Sequence, residues 1–289
     1  MIYIHQVGSI NYKETQLVDI KAQCKLIAPK FIRRTDQFIQ LAILGVEQIK
    51  RNTKIDANCA LYLTSGQGNI GVFQRLCEQN FIDKMPPKPV DFINSLSNTA
   101  GFYVSQFLNL ESKNSNLSHL CFVVEMALLL AKSDLLLNKE ESILLGGVDQ
   151  LLPSPALSRA ALGLSNDDQL GQGSNWVLLK KNRESALASI DLTNREMNKQ
   201  QLLAYLAMLP NDSPIQLGFS VLIEPADIRE IVKESAYQQY HYQAEVGFYE
   251  TMALYVINRF VVNEKGRLFF IDYFSNKYRI IEVEVCETS

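Results

Sequence analysis

Residues 117–149 read LSHLCFVVEMALLLAKSDLLLNKEESILLGGVD. Within them, 122–137 (FVVEMALLLAKSDLLL) is apolar nearly all round and too long for a strand, so it reads as a helix buried inside a protein. A membrane span is the poorer reading, because Glu125, Lys132 and Asp134 fall within about four turns of it. Residues 142–145 (SILL) read as a buried strand, stopped by Gly146-Gly147. Strand, buried helix, strand is the grammar of an α/β protein.

The same grammar extends outward. Upstream, 1–7 alternates apolar and polar residues as a half-buried strand would. Residues 33–51 carry Phe38, Leu41, Ala42, Gly45 and Ile49 at helical spacing. The run 60–63 (ALYL) is a buried strand feeding the turn Thr64-Ser65-Gly66-Gln67-Gly68, with a helix to about 79. Residues 85–89 (MPPKP) form a stiff connector. Residues 98–108 read as a helix and 111–116 as a polar loop. Downstream, 175–181 and 185–192 read as strands, 196–209, 227–234 and 245–260 as helices, and 267–274 with 278–285 as a closing strand pair. The loosest stretch is 151–173, rich in Pro, Ser, Gly and Asn. It divides the chain into halves of 1–150 and 151–289 that form one compact unit.

Composition removes whole classes of function. The 289 residues are 47% hydrophobic and 20% charged, enough for a sizeable core without staples. A net charge of −3 argues against a strongly basic nucleic-acid binder and gives no polybasic membrane anchor. Residues 1–8 lack a basic n-region and a long apolar core, so no signal peptide is read there. The five cysteines (Cys24, Cys59, Cys77, Cys121, Cys286) include no CxxC pair, which suits reduced thiols in a cytoplasm. With only His5, His119 and His241, metal chemistry built on His clusters is not expected. Gly66-Gln67-Gly68 is too short for a phosphate loop and has no Lys or Thr where one is needed, and no cofactor is expected.

Cys121, then Ala127-Leu128, Ala131 and Gly146-Gly147-Val148-Asp149, form a spaced pattern that resembles the β-ketoacyl synthases. In those condensing enzymes the nucleophilic Cys opens a buried helix, and the next strand ends in Gly-Gly-Val-Asp. Other pieces fall in family order. They are Arg33-Arg34-Thr35-Asp36, Thr64–Gly68, Phe92-Ile93-Asn94-Ser95 with Asn98, Gly171-Gln172-Gly173, Asp227 with Glu230, and His241 with Gly247 and Glu250. The resemblance implies the thiolase-like α/β fold: two related halves, each with a mixed five-stranded sheet, in αβαβα layering. It also implies dimerisation through 117–121 and contact with an acyl carrier protein. Cys121 would be the nucleophile and His241 the second catalytic His.

The family's chemistry, a decarboxylative Claisen condensation, needs more than Cys121. A thiolate at a helix N-terminus is favoured by the dipole, and two His residues and backbone N–H groups stabilise the developing oxyanion. Counting back from Asp227, the first His position holds Phe219, and the C-terminal Gly-rich loop is replaced by Asp272-Tyr273-Phe274-Ser275-Asn276-Lys277. Leu120 and Phe122 bracket Cys121 where the family has small residues. These departures resemble the chain length factor, the ketosynthase-like subunit of type II polyketide and aryl-polyene systems. That subunit has lost catalysis and pairs with an active ketosynthase. The acyl-pocket or interface candidates are His119, Leu120, Phe122 and Phe102. Two other readings stay open: a self-sufficient condensing enzyme or acyltransferase using Cys121 with His241 or His119, and a thiolase-fold module that only holds a carrier protein. Cys121 itself is either an inert core thiol or a reactive one. His119 is either its partner or an interface residue.

Overall fold

The computed structural model describes residues 1–286 apart from 120, 153, 194, 211–213 and 243–244, and all their side chains except that of residue 161. The first part of the chain runs β1 (Ile2–Lys13), α1 (Ile20–Ile27), α2 (Gln37–Asn52), β2 (Ala60–Ser65), α3 (Ile70–Cys77), α4 (Pro89–Asn94), α5 (Thr99–Leu108), β3 (Asn114–Ser118), α6 (Val123–Leu136), β4 (Ser142–Asp149), α7 (Pro155–Leu162) and β5 (Gly171–Lys180). The second part runs β6 (Ala188–Leu192), α8 (Lys199–Ala207), β7 (Ile215–Phe219), α9 (Pro225–Ser235), β8 (Gln238–Gln239), α10 (Met252–Asn263), β9 (Arg267–Phe274) and β10 (Lys277–Val285). Between α3 and α4 the chain makes a π-helical turn, Glu78–Ile82.

The strands lie in the order β3-β2-β4-β5-β1-β6-β10-β9-β7-β8. Split between β1 and β6, each five-strand set has the same internal order from its outer edge: third, second, fourth, fifth, first. Pairing is parallel among the three outermost strands of each set and antiparallel elsewhere. The two expected five-stranded sheets are joined into one ten-stranded ladder, because Ile2, Tyr3 and Ile4 pair antiparallel with Ile190, Ser189 and Ala188. The division expected at 150/151 moves to 181–187: β5 is hydrogen bonded between β1 and β4 and so completes the first set.

Three cores show the layering. One buries α6 and α10 against residues of β1, β2, β4, β5, β6, β9 and β10, placing these two helices between the halves. A second packs α1, α2 and α5 on the outside of the first set, and a third packs α8 and α9 on the outside of the second. This is the αβαβα arrangement. Helix α6 reads apolar all round because it lies in the middle layer, where Val124, Ala127, Leu128, Ala131 and Leu135 are all buried.

Several element ends differ from their sequence reading, each time because pairing outweighs local composition. Strand β1 runs on to Lys13, held by β5 as far as Lys13↔Gly171. Strand β4 passes through Gly146-Gly147, which pair with Leu63 and Thr64 on one side and Trp176 and Asn175 on the other. A Cβ on Gly146 would come within 2.3 Å of the Trp176 indole, so the glycine is space for that ring. Gly171-Gln172-Gly173 are strand rather than turn. Helix α2 starts at Gln37, where the Asp36 carboxylate accepts the Ile39 N–H at 3.2 Å. Helix α10 starts at Met252 rather than 245, since the bridge Leu170↔Phe248 ties down the segment before it.

Candidate functional site

Cys121 follows β3 and precedes α6. Phe219 ends β7, His241 follows β8, and Phe274 ends β9. These are the C-terminal ends of strands that run parallel within their sets, the usual place for sites in such sheets. A chain of contacts joins most of them. The Phe122 ring meets Phe274 edge-on at 6.5 Å, and the Arg279 guanidinium lies 5.3 Å from the Phe122 ring. Arg279 pairs across the ladder with Asp272, and Asp272 accepts from the Ser220 hydroxyl. The neighbouring Phe219 is fully buried, and its carbonyl accepts the Tyr242 hydroxyl.

Cys121 is partly exposed rather than a core residue, so the inert core thiol is not what the fold builds. Its Sγ lies 3.7 Å from His119 Nδ1, and that same nitrogen is 2.6 Å from the Cys121 carbonyl and 3.3 Å from its N–H. His119 is thus folded back on the Cys121 backbone. The two are brought together by a bend and not by a shared strand face, since β3 ends at Ser118. Burial pushes the thiol pKa up. Glu196, Asp272 and Glu125 push the same way, and Arg279 opposes them. An activated thiolate needs the reverse balance.

Phe122 takes the left-handed conformation (φ 49°, ψ 44°) at the cap of α6, an unfavourable one for a bulky side chain. Below it, Glu125 in the first turn of α6 is completely buried, and neither carboxylate oxygen has a hydrogen-bond partner among the described residues. Burial, then the nearby Asp272, hold its carboxyl well above the usual range. Arg279 contacts Glu196 at 3.6 Å through Nη2, while its Nε and Nη1 have no hydrogen-bond partner among the described residues.

No family model matches the chain, and no curated protein matches it by sequence. Solved structures do match. The ishigamide ketosynthase/chain length factor superposes with a TM-score of 0.71 at 12% identity, over 93% of this chain and 85% of that one. AntDE:AntF, a type II polyketide synthase acyl-carrier protein in complex with its ketosynthase bound to the hexaketide, gives 0.68 at 14%, over 99% of each. The ketosynthase ApeO in complex with its chain length factor ApeC, from Xenorhabdus doucetiae, gives 0.59 at 12%, over 97% and 98%. This chain has the ketosynthase fold.

Cys121 stands just before the middle-layer helix α6. Phe219, the residue that counting back from Asp227 sets at the family's first His position, is buried in the core at the end of β7. His241 is exposed and makes no hydrogen bond with the described residues, whereas the next residue, Tyr242, turns inward. His119 is exposed, Phe122 is buried, and Phe102 is 54% exposed on α5. Leu120 lies outside the described residues. The sequence reading missed Glu125 and Arg279 as site residues. A lone acid inside an apolar run (FVVEMALLLA) was the available signal for the first; Arg279, in an ordinary strand, offered none. Among the described residues no group of three or more His, Cys, Asp or Glu could hold a metal, and no helix is long and apolar enough to cross a membrane.

Proposed function

We propose that this chain is a chain-length-factor-like subunit that pairs with an active β-ketoacyl synthase and helps wall its acyl pocket, without turnover of its own. The observation that supports this reading is Phe219, fully buried at the end of β7 with its carbonyl taken by Tyr242, at the position where counting back from Asp227 puts the family's first His. A phenyl ring neither donates to a thioester oxygen nor moves a proton, and losing one such donor typically costs about 10²–10³ in rate. The neutral thiol of Cys121 and the exposed His241 point the same way.

The pairing surface is the outer edge of the first strand set. Strand β3 is the end of the ladder and is paired only with β2. An edge with free N–H and C=O groups invites a further strand. Beside it, α3 to α5 and their connectors leave Phe73, Phe81, Ile82, Met85, Phe92, Ile93 and Phe102 each more than half exposed. Apolar side chains this exposed suit an interface better than a solvated surface. The partner is an active ketosynthase, as in the ketosynthase/chain length factor structures with the same fold, and an acyl carrier protein would deliver to the pair.

The test is intact mass after incubation with acyl-carrier-protein thioesters, run on this chain alone and with its candidate ketosynthase. Acylation confined to the partner, with the two chains co-purifying, is expected. A thioester on Cys121 of the isolated chain overturns the reading in favour of a self-sufficient acyltransferase or condensing enzyme.

A further inference from the structure

The net charge of the chain hides a basic pole. Residues 17–34 carry Lys21, Lys25, Lys30, Arg33 and Arg34 against one acid, Asp19, a net +4 in a chain of −3, which leaves the rest at −7. All five cations are exposed, and none has an ion-pair or hydrogen-bond partner for its side chain among the described residues. Helix α1 supplies the middle of the strip. It buries Ile20 and Cys24 in the outer core of the first set and leaves Lys21, Lys25 and Leu26 exposed. Leu26 is 85% exposed, more than any other large apolar side chain among the described residues, and Leu17 and Val18 just before α1 are exposed too. Where the start of α1 faces the 33–36 turn there is a cleft of about 490 Å³, lined by Lys21, Arg33, Arg34 and Arg75. The acids in its wall are already engaged. Asp19 accepts the Ala22 N–H at 2.9 Å, Asp36 accepts the Ile39 N–H at 3.2 Å, and Asp91 faces Arg75 at 3.3 Å.

We propose that this strip docks reversibly on an anionic phospholipid surface, with a headgroup phosphate in the cleft and Leu26 reaching below the headgroups. Cations interleaved with exposed apolar side chains on a surface helix are what such a surface binds. Lys25 and Lys30 flank Leu26 in sequence, and their long stems let the ammonium groups stay at headgroup level while the leucine goes deeper. Leu26 is what favours lipid over an acidic protein, since charge alone suits both. The remaining −7 sets the orientation, because an anionic surface repels every other side of the molecule. Docking is weak and salt-sensitive, as it rests on exposed charges and few apolar side chains. It does not depend on whether the chain pairs with a ketosynthase.

Co-sedimentation of the intact chain with vesicles tests it, using phosphatidylcholine alone and phosphatidylcholine mixed with phosphatidylglycerol. Binding to the anionic vesicles should be at least about tenfold tighter at low salt and largely lost by about 0.5 M salt. Lys21→Glu with Lys25→Glu should weaken it by roughly 100-fold or more, and Leu26→Ser by about threefold or more. Lys233→Glu, on α9, should change it less than about twofold. All four side chains are exposed, so the variants keep the fold. Inorganic phosphate should displace the chain no more than chloride does at equal ionic strength; stronger displacement assigns the cleft to a soluble phosphate and overturns the lipid. Equal binding to the two kinds of vesicle also overturns it, as does binding that survives Lys21→Glu with Lys25→Glu. So does a chain that ignores both vesicles and binds an acidic carrier protein through the same lysines. Assembly with a ketosynthase is read separately, by sedimentation, and its failure changes none of these outcomes.

Discussion

The two strand sets share one order and differ in what is inserted into it. Between its second and third strands the first set carries α3, the π-helical turn, α4 and α5; the second set carries only α9. The first ends in the five-residue β3 and the second in the two-residue β8. A short edge strand is a common way to discourage further pairing. The lesson is that the second edge is finished by a very short strand, whereas the first presents a longer strand, the kind of edge the proposed pairing would use. Exposed apolar side chains are dense in the first set's insertion, which carries Phe73, Phe81, Ile82, Met85, Phe92, Ile93 and Phe102.

The sharpest way to break this comparison is to charge one edge and then the other. Phe92→Asp with Ile93→Asp should weaken assembly with the ketosynthase by about 2–4 kcal/mol, roughly 30- to 1,000-fold, with the fold intact because both side chains are exposed. Met208→Asp, on the second set and 76% exposed, should leave assembly unchanged. Sedimentation of the mixed chains checks both, and equal loss in the two variants would sink the asymmetry.

A second contrast lies in the interior. Gly146→Ala drives a Cβ to within 2.3 Å of Trp176 and should cost about 1–3 kcal/mol in urea denaturation. Gly218→Ala, where the nearest atom is 3.2 Å away on the Phe270 ring, should stay within about 1 kcal/mol of the parent.

A third concerns the seam. Asp149 accepts from Ser65 Oγ at 2.7 Å and Gly66 N–H at 3.0 Å on one side, and from the Thr251 N–H at 2.8 Å at the start of α10 on the other. Burial, with Glu250 beside it, pushes its carboxyl up to about 7. The folded chain therefore keeps a proton that the unfolded chain releases, and stability falls as pH rises through that window. About 1 kcal/mol should be lost between pH 6 and 8, and Asp149→Asn should flatten the slope in denaturation curves. The smallest effect is the most telling one: Cys121→Ala should leave the amount and length of product made by the complex unchanged. Loss of product with the complex intact would return Cys121 to the chemistry.

Much of this was legible beforehand because α6 and its flanks obey strong local rules. An apolar run of that length with scattered charges reads better as a buried helix than as a membrane span. The closing hairpin β9–β10 was legible as two short strand-like runs, 267–274 and 278–285. What escaped was set by distant partners. The glycines of β4 look like a stop until Trp176 occupies the space they leave. Strand β5 looks like the start of a second half until its pairing with β1 is seen. In the site, Phe219 was legible by counting from Asp227, whereas the Glu125–Asp272–Arg279 cluster joins three elements, and no spacing along the chain announces it. Cys121 read more readily as an inert core thiol than as a nucleophile, and its partial exposure beside His119 was not legible along the chain.

The central position of β1 also carries a consequence for biosynthesis. It is made long before its partners β5 and β6, both beyond residue 170. At about 5–20 residues per second it waits roughly ten to thirty seconds for them. During that time Ile2 and Ile4, both fully buried in the finished protein, lack the strands that flank them in the sheet and the helix α10 of their core. A nascent chain of this design is a client for chaperones, and slowing translation before residue 171 should lower its soluble yield more than slowing it afterwards.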